Sequence, residues 1–216
     1  MPWNCLRVRN YDTYERMMIY DDHIKRLLLK GHWIPCVVID SLFSIIREKH
    51  RDRLYLPTTL VNKIFGVVSQ ETSPNFKTGS IRELPQRTDI IKKVLMPCNF
   101  FTYHWYLVVA NLEKKKIYIY DSFVKNSLVK GQDECDQCQH ESLVAQMKEF
   151  LLEWIGDDFE LANGRCPQQE EGDCGIQLIR NAAHPNVGEG EGNIVEGGEE
   201  FTRDTVYNMW MDKWEK

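Results

Sequence analysis

Residues 104–122 read HWYLVVANLEKKKIYIYDS. His104–Ala110 and Ile117–Tyr120 are rich in β-branched and aromatic side chains, and the polar Asn111–Lys116 between them reads as a turn. That pattern predicts a buried β-hairpin ending at Asp121-Ser122. A hairpin sets the start of its first strand opposite the end of its second, so it brings His104 towards Asp121.

Working outward, residues 91–97 predict another short strand, and 158–163 a third candidate. The stretch 68–90 is polar with Pro and Gly and reads as loop or short strands. Residues 33–48 place Val37, Val38, Leu42, Ile45 and Ile46 near helical spacing after Pro35, a residue suited to a first turn. Residues 126–141 are polar and turn-like. Leu143, Val144, Met147, Phe150, Leu151, Trp154 and Ile155 then recur on one face of an amphipathic helix. The loop 165–175 leads into a helical run over 175–183, and 185–200, rich in Gly and Glu, reads as mobile. A final helix within 201–216 sets Val206, Met209, Trp210 and Trp214 on one side. Helices and strands mix, which predicts an α+β domain. Residues 1–25 serve as a lead-in, and 1–216 form one domain.

The 216 residues carry a net charge of -5, and 43% are apolar, 11% aromatic, a composition that supports one packed core. Mild acidity argues against nucleic acid as the main partner. No run reaches the roughly 18 apolar residues of a membrane span, and the N-terminal residues lack the apolar segment of a signal peptide. The seven cysteines are odd in number and not spaced as a disulfide scaffold, so an intracellular, reducing location is expected.

Cys174 lies in Gly172-Asp173-Cys174-Gly175 at the start of an apolar helical run. Unpaired N–H groups and the helix dipole favour a thiolate there. Taken alone, a buried structural cysteine is the simpler reading. His104 and Asp121 change the balance, because a carboxylate can fix the tautomer of an imidazole that serves as base. Gln168, six residues before Cys174, and Gln169, five before, are both candidates to donate to a developing oxyanion. Cys135 and Cys138 with His140 raise the question of zinc, but one such pair does not supply a full ligand set. They read as free thiols in a surface loop, and Lys114-Lys115-Lys116 as a solvated turn.

HWYLVVANLEKKKIYIYDS together with CPQQEEGDCGIQL (166–178) resembles the signature of the Ulp/SENP family of cysteine proteases, which process ubiquitin-like modifiers and belong to an adenain-like clan. Gly31-His32-Trp33-Ile34 and the terminal Arg203…Tyr207…Met211 resemble further family segments. The resemblance spans roughly residues 25–215, with its specific motifs in 98–180. It implies a papain-like, circularly rearranged fold with a central mixed or antiparallel sheet flanked by helices. It implies Cys174 as nucleophile, His104 as base, Asp121 as orienting acid and Gln168 as oxyanion donor. Trp105 and Trp33 would line a slot for the Gly-Gly tail of a modifier, since two indole faces admit glycine and exclude larger side chains. The expected partner is a ubiquitin-like modifier or its conjugate, met by a monomer without cofactor or metal and without membrane or nucleic-acid contacts. The same fold acting on viral or transposon polyproteins, a related Cys-dependent acetyltransferase, and a binding module with a degenerate site are the alternatives.

Overall fold

The hairpin forms the middle of the structure. In this computed structural model, which describes residues 6–9, 16–65, 84, 89–100, 104–122, 134–164, 166, 173–189 and 202–214, β5 (His104–Asn111) pairs antiparallel with β6 (Lys116–Tyr120) in a register that sets Leu107 opposite Tyr120. The turn closes on Asn111, whose Oδ1 accepts from the N–H groups of Glu113 at 3.1 Å and Lys114 at 2.9 Å. This is the local side-chain turn that makes Asn a favoured loop residue. Lys115 takes the left-handed conformation, at φ 52°.

β4 (Lys93–Phe100) flanks β5 antiparallel, β3 (Arg53–Tyr55) runs parallel to β4, and β7 (Glu160–Asn163) runs parallel to β6. The result is a five-stranded mixed sheet in the order β3-β4-β5-β6-β7. Alternation along the strands divides its two faces. On one, Trp105, Leu107 and Val109 pack with α2 (Cys36–Lys49), α5 (Cys174–Ala183) and α6 (Arg203–Trp214). On the other, Tyr106, Val108 and Ala110 pack with α3 (Thr58–Phe65) and α4 (Glu134–Ile155). Burial on both faces is why the central strands read as near-continuous apolar runs rather than as alternation.

Each helix lies where its apolar stripe requires. Val38, Ile39, Leu42, Ile45 and Ile46 of α2 are buried, and the helix starts directly after Pro35. Val144, Met147, Phe150 and Leu151 of α4 are buried as the spacing predicts. That helix begins at Glu134, so 134–141 are helical where the sequence reading expected loop, and Cys135 and Cys138 lie in its opening turns. The opening turns carry no apolar stripe, yet Glu and Gln are good helix formers, so the segment can continue the helix. In α6, Val206 and Trp210 are buried.

Three further features lie beyond the sequence expectations. The lead-in contains an antiparallel pair, β1 (Leu6–Arg9) with β2 (Arg16–Ile19), and α1 (Asp21–Leu28). β3 and α3 fill 53–65, where no periodic signal stood out. The segment expected to be mobile over 185–200 is described as far as Glu189, and that part is anchored. The Gly188 N–H donates to the Tyr120 hydroxyl at 2.8 Å, Asn111 Nδ2 donates to the Gly188 carbonyl at 2.9 Å, and Glu189 pairs with Lys93 and Lys114. Gly188 has φ +75°, and a Cβ there would lie 2.8 Å from Val109 Cγ1, so only glycine lets the chain cross the sheet this closely. Among the described residues, no helix is long and apolar enough to cross a membrane.

Candidate active site

The site forms at one end of the sheet, where β5 begins, β6 ends and α5 starts. Continuing the β5–β6 register past Tyr120 sets Asp121 opposite Tyr106, so its diagonal neighbour on the same side is His104. His104 Nε2 and Asp121 Oδ1 are 2.7 Å apart, with side-chain exposures of only 13% and 8%. A carboxylate can only accept in this pair, so the Nε2–H donates and Nδ1 is left as the second functional nitrogen. The Cys174 thiol lies near enough to the ring to act on its protonation. His104 therefore lies between a buried carboxylate and a buried thiol.

Opposing influences act on that imidazole. Burial is the largest and pulls its pKa down, but the hydrogen bonds and negative charges of Asp121 and Cys174 prevail and raise it to about 9. The ring is thus held as imidazolium across neutral pH. Burial pushes the Cys36 and Cys98 thiols up, and takes Cys166 to about 11.

Cys174 is the first residue of α5 and is 6% exposed. Its backbone N–H is among those of a first helical turn that have no intrahelical partner, which suits it to face an anion. Gly175 follows, and a Cβ there would lie 3.0 Å from Ile34 Cδ1. Glycine thus brings the turn that carries Cys174 against the segment that carries Trp33. Asp173, at the N-cap, makes no side-chain cap bond. Its carboxylate instead binds Arg203, with Nε–Oδ1 at 2.9 Å and Nη2–Oδ1 at 2.8 Å.

Trp33 and Trp105 also come together. Their rings stack with centroids 5.2 Å apart and planes 19° from parallel. Trp105 is fully buried, and its Nε1–H donates to the Ile34 carbonyl at 3.0 Å. Trp33 is the more exposed of the pair. At this separation the indoles touch each other, and passage of a peptide between them requires Trp33 to move.

His104, Asp121 and Cys174 are thus brought together, with His104 bonded to Asp121, and Trp105 and Trp33 form one stack. Gln168 and Gln169 lie outside the described residues. Among the described residues, no cluster of His, Cys, Asp and Glu has the arrangement to hold a metal ion. Two contributors escaped the sequence reading. Arg203 reaches Asp173 from 30 residues away, and no local spacing signals such a pair. Arg53, buried on β3, donates to the carbonyls of Ala182 at 2.7 Å and Pro185 at 3.0 Å, closing the C-terminal end of α5. Arg53 stands at the end of a run of charged residues, His50-Arg51-Asp52, so the sequence held no clue that it is buried.

The model of the Ulp1 protease family, C-terminal catalytic domain, matches residues 71–185, a span containing His104, Asp121, Gln168 and Cys174. Ubiquitin-like-specific protease 1 of Saccharomyces cerevisiae is 33% identical over 160 residues, covering 74% of this chain and 24% of that protein. The chain thus spans about a quarter of that relative's length. The solved C-terminal Ulp1 protease domain in complex with Smt3, the yeast ortholog of SUMO, is similar at a TM-score of 0.69 and 18% identity, over 98% of this chain and 90% of that one. The Ulp1-like SUMO protease catalytic domain of Chaetomium thermophilum is similar at a TM-score of 0.59 and 16% identity, over 86% and 73%. Xanthomonas XopD reaches 0.59 at 14% identity, over 83% and 98%. These structures share the fold.

Proposed function

The chain belongs to the Ulp1 protease family, and from that premise we propose that it is a thiol peptidase cleaving after the terminal glycine of a ubiquitin-like modifier, in a precursor or a conjugate. The observation that carries this reading is the imidazole of His104, hydrogen-bonded to Asp121 and set beside the Cys174 thiol at the start of α5. Such a group stores a nucleophilic sulfur and a proton donor side by side.

The chemistry follows from the arrangement. The Cys174 sulfur attacks the carbonyl carbon of the glycine, and the carbonyl π electrons move to oxygen. The Cys174 N–H and the side-chain amide of Gln168 stabilise that oxyanion, with Gln169 the competing donor. His104, as imidazolium, gives its proton to the leaving nitrogen as the C–N bond breaks, and a thioester remains. Neutral His104 then takes a proton from water, whose oxygen attacks the thioester and releases the carboxylate and the thiol. Asp121 holds the ring orientation and offsets its charge throughout. Trp33 swings off Trp105 to admit the glycines, and the pair closes on a chain that lacks side chains.

The deciding measurement compares wild type with Cys174→Ala on a SUMO-type modifier carrying a fluorogenic C-terminal amide. Release by wild type alone supports the reading, and equal release by both overturns it. A panel of vinyl-ester probes on different modifiers then identifies the modifier by which probe labels Cys174.

A further inference from the structure

Arg203, the first residue of α6, is a buried cation with an exposure of 8%. A guanidinium carries five N–H donors. Here Nε and Nη2 donate to Asp173 Oδ1, Nη1 donates to the Arg26 carbonyl at 2.9 Å and the Leu27 carbonyl at 2.8 Å, and Nη2 donates to the His32 carbonyl at 3.1 Å. Every donor is engaged by three separate stretches of chain. One is the end of α1, one is the residue before Trp33, and one is the residue before Cys174.

Packing alone does not require this arrangement. A buried guanidinium is costly unless all its donors are met, and a tie between α6 and α1 alone would need no acid at 173. The Asp173 carboxylate is withheld from the helix N–H groups it could have capped and given to Arg203 instead. The same residues are locked from the other side, where Gly175 lies against Ile34 and Ile34 accepts from Trp105.

We infer that Arg203 is a positioning residue for the reaction, fixing the start of the Cys174 helix against the 32–34 segment so that the sulfur, His104 and the Trp33–Trp105 pair keep one relative geometry. This rests on Cys174 being the nucleophile. Arg203 touches neither the sulfur nor the substrate path and acts through Asp173 and the His32 carbonyl. Lysine keeps the charge but replaces a planar fork with a point donor, and cannot bridge all three stretches.

The test reads sulfur reactivity, so it needs no modifier. Alkylation of Cys174 by iodoacetamide at pH 7 is followed by mass spectrometry in wild type, Arg203→Lys, Asp173→Ala, their double variant and His104→Ala. Labelling of Cys98, 1% exposed, reports unfolding in the same sample. The expected result is alkylation about 10-fold slower in Arg203→Lys and in Asp173→Ala, since small misplacements of reacting groups cost that much or more. The double variant should be no slower than either single one, with Cys98 unlabelled throughout. Wild-type speed in Arg203→Lys, or additive losses in the double variant, overturns the inference. If Arg203→Lys unfolds, Asp173→Ala decides, since it leaves the guanidinium on the three carbonyls, and wild-type speed there overturns the inference. If wild type reacts no faster than His104→Ala, the nucleophile assignment itself falls, and this inference with it.

Discussion

At the residue scale, the behaviour of His104 sets the pH response. Its pKa is raised from 6.5 to about 9 because Asp121 and Cys174 outweigh burial. A group whose pKa is raised on folding favours the folded state fully below its unfolded value, and that contribution fades as pH climbs through the folded value. The stability advantage of wild type over His104→Gln should therefore be complete below about 6.5 and lost as pH passes about 9, as denaturant titrations across that range would reveal. Activity should fall on the same alkaline limb, because the leaving nitrogen needs the imidazolium proton. An alkaline limb a unit or more lower would mean the Asp121–His104–Cys174 contacts are weaker than the geometry indicates. The oxyanion donor is a second residue-scale question. Removing one such donor costs about 100-fold or more in kcat, so of Gln168→Ala and Gln169→Ala, Gln168→Ala should show that loss with little change in KM. The opposite pattern would move the role to Gln169.

At the scale of elements, α5 is held at both ends. Its N-terminal turn carries Cys174 and is tied through Asp173 to Arg203, while the Ala182 carbonyl in its last turn and the Pro185 carbonyl just beyond it receive Arg53, a cation suited to the negative end of a helix dipole. Tyr55 adds a longer contact to the Ala182 carbonyl at 3.5 Å. Replacing Arg53 by Met keeps much of the volume but removes two charge-assisted bonds and strands buried carbonyls. The expected loss is about 2–4 kcal/mol of folding stability, measurable by chemical denaturation; a loss under about 0.5 kcal/mol would show that water replaces the guanidinium there. The hairpin is the other decisive element. Its length and turn alone determine that Asp121 falls diagonal to His104, and a one-residue slip would carry the carboxylate to the opposite side of the sheet.

At the scale of the whole molecule, the sheet separates two cores. The face toward α2, α5 and α6 holds Cys174 and the Trp33–Trp105 pair, whereas His104 and Asp121 share the strand alternation of Tyr106, which packs toward α3 and α4. Leu151 of α4 is fully buried on the far face. Leu151→Ala should cost about 2–5 kcal/mol of stability while leaving the iodoacetamide reactivity of Cys174 within about twofold at temperatures where the protein stays folded, since Leu151 belongs to the core packed by α3 and α4 and Cys174 to the other core. A matching drop in Cys174 reactivity would mean the two faces are coupled.

What the sequence determined by itself was whatever depends on short-range pattern. The hairpin from 104 to 121, the apolar stripes of α2 and α4, and the helix beginning beside Cys174 follow from periodicity and composition. The order His104, Asp121, Gln168, Cys174 is likewise written in the chain. The extra turns of α4 before residue 142 were hidden because their side chains carry no apolar stripe. β3 was hidden because a three-residue strand gives too few positions for a period. Only the tertiary structure decided how Arg203 joins Asp173 to the Trp33 segment, how Arg53 closes α5, and that the two indoles rest on each other. These contacts link residues far apart in the chain, and their free energy comes from desolvated charge and mutual burial. Such terms exist only once the sheet and helices have brought the groups together, so no local pattern announces them.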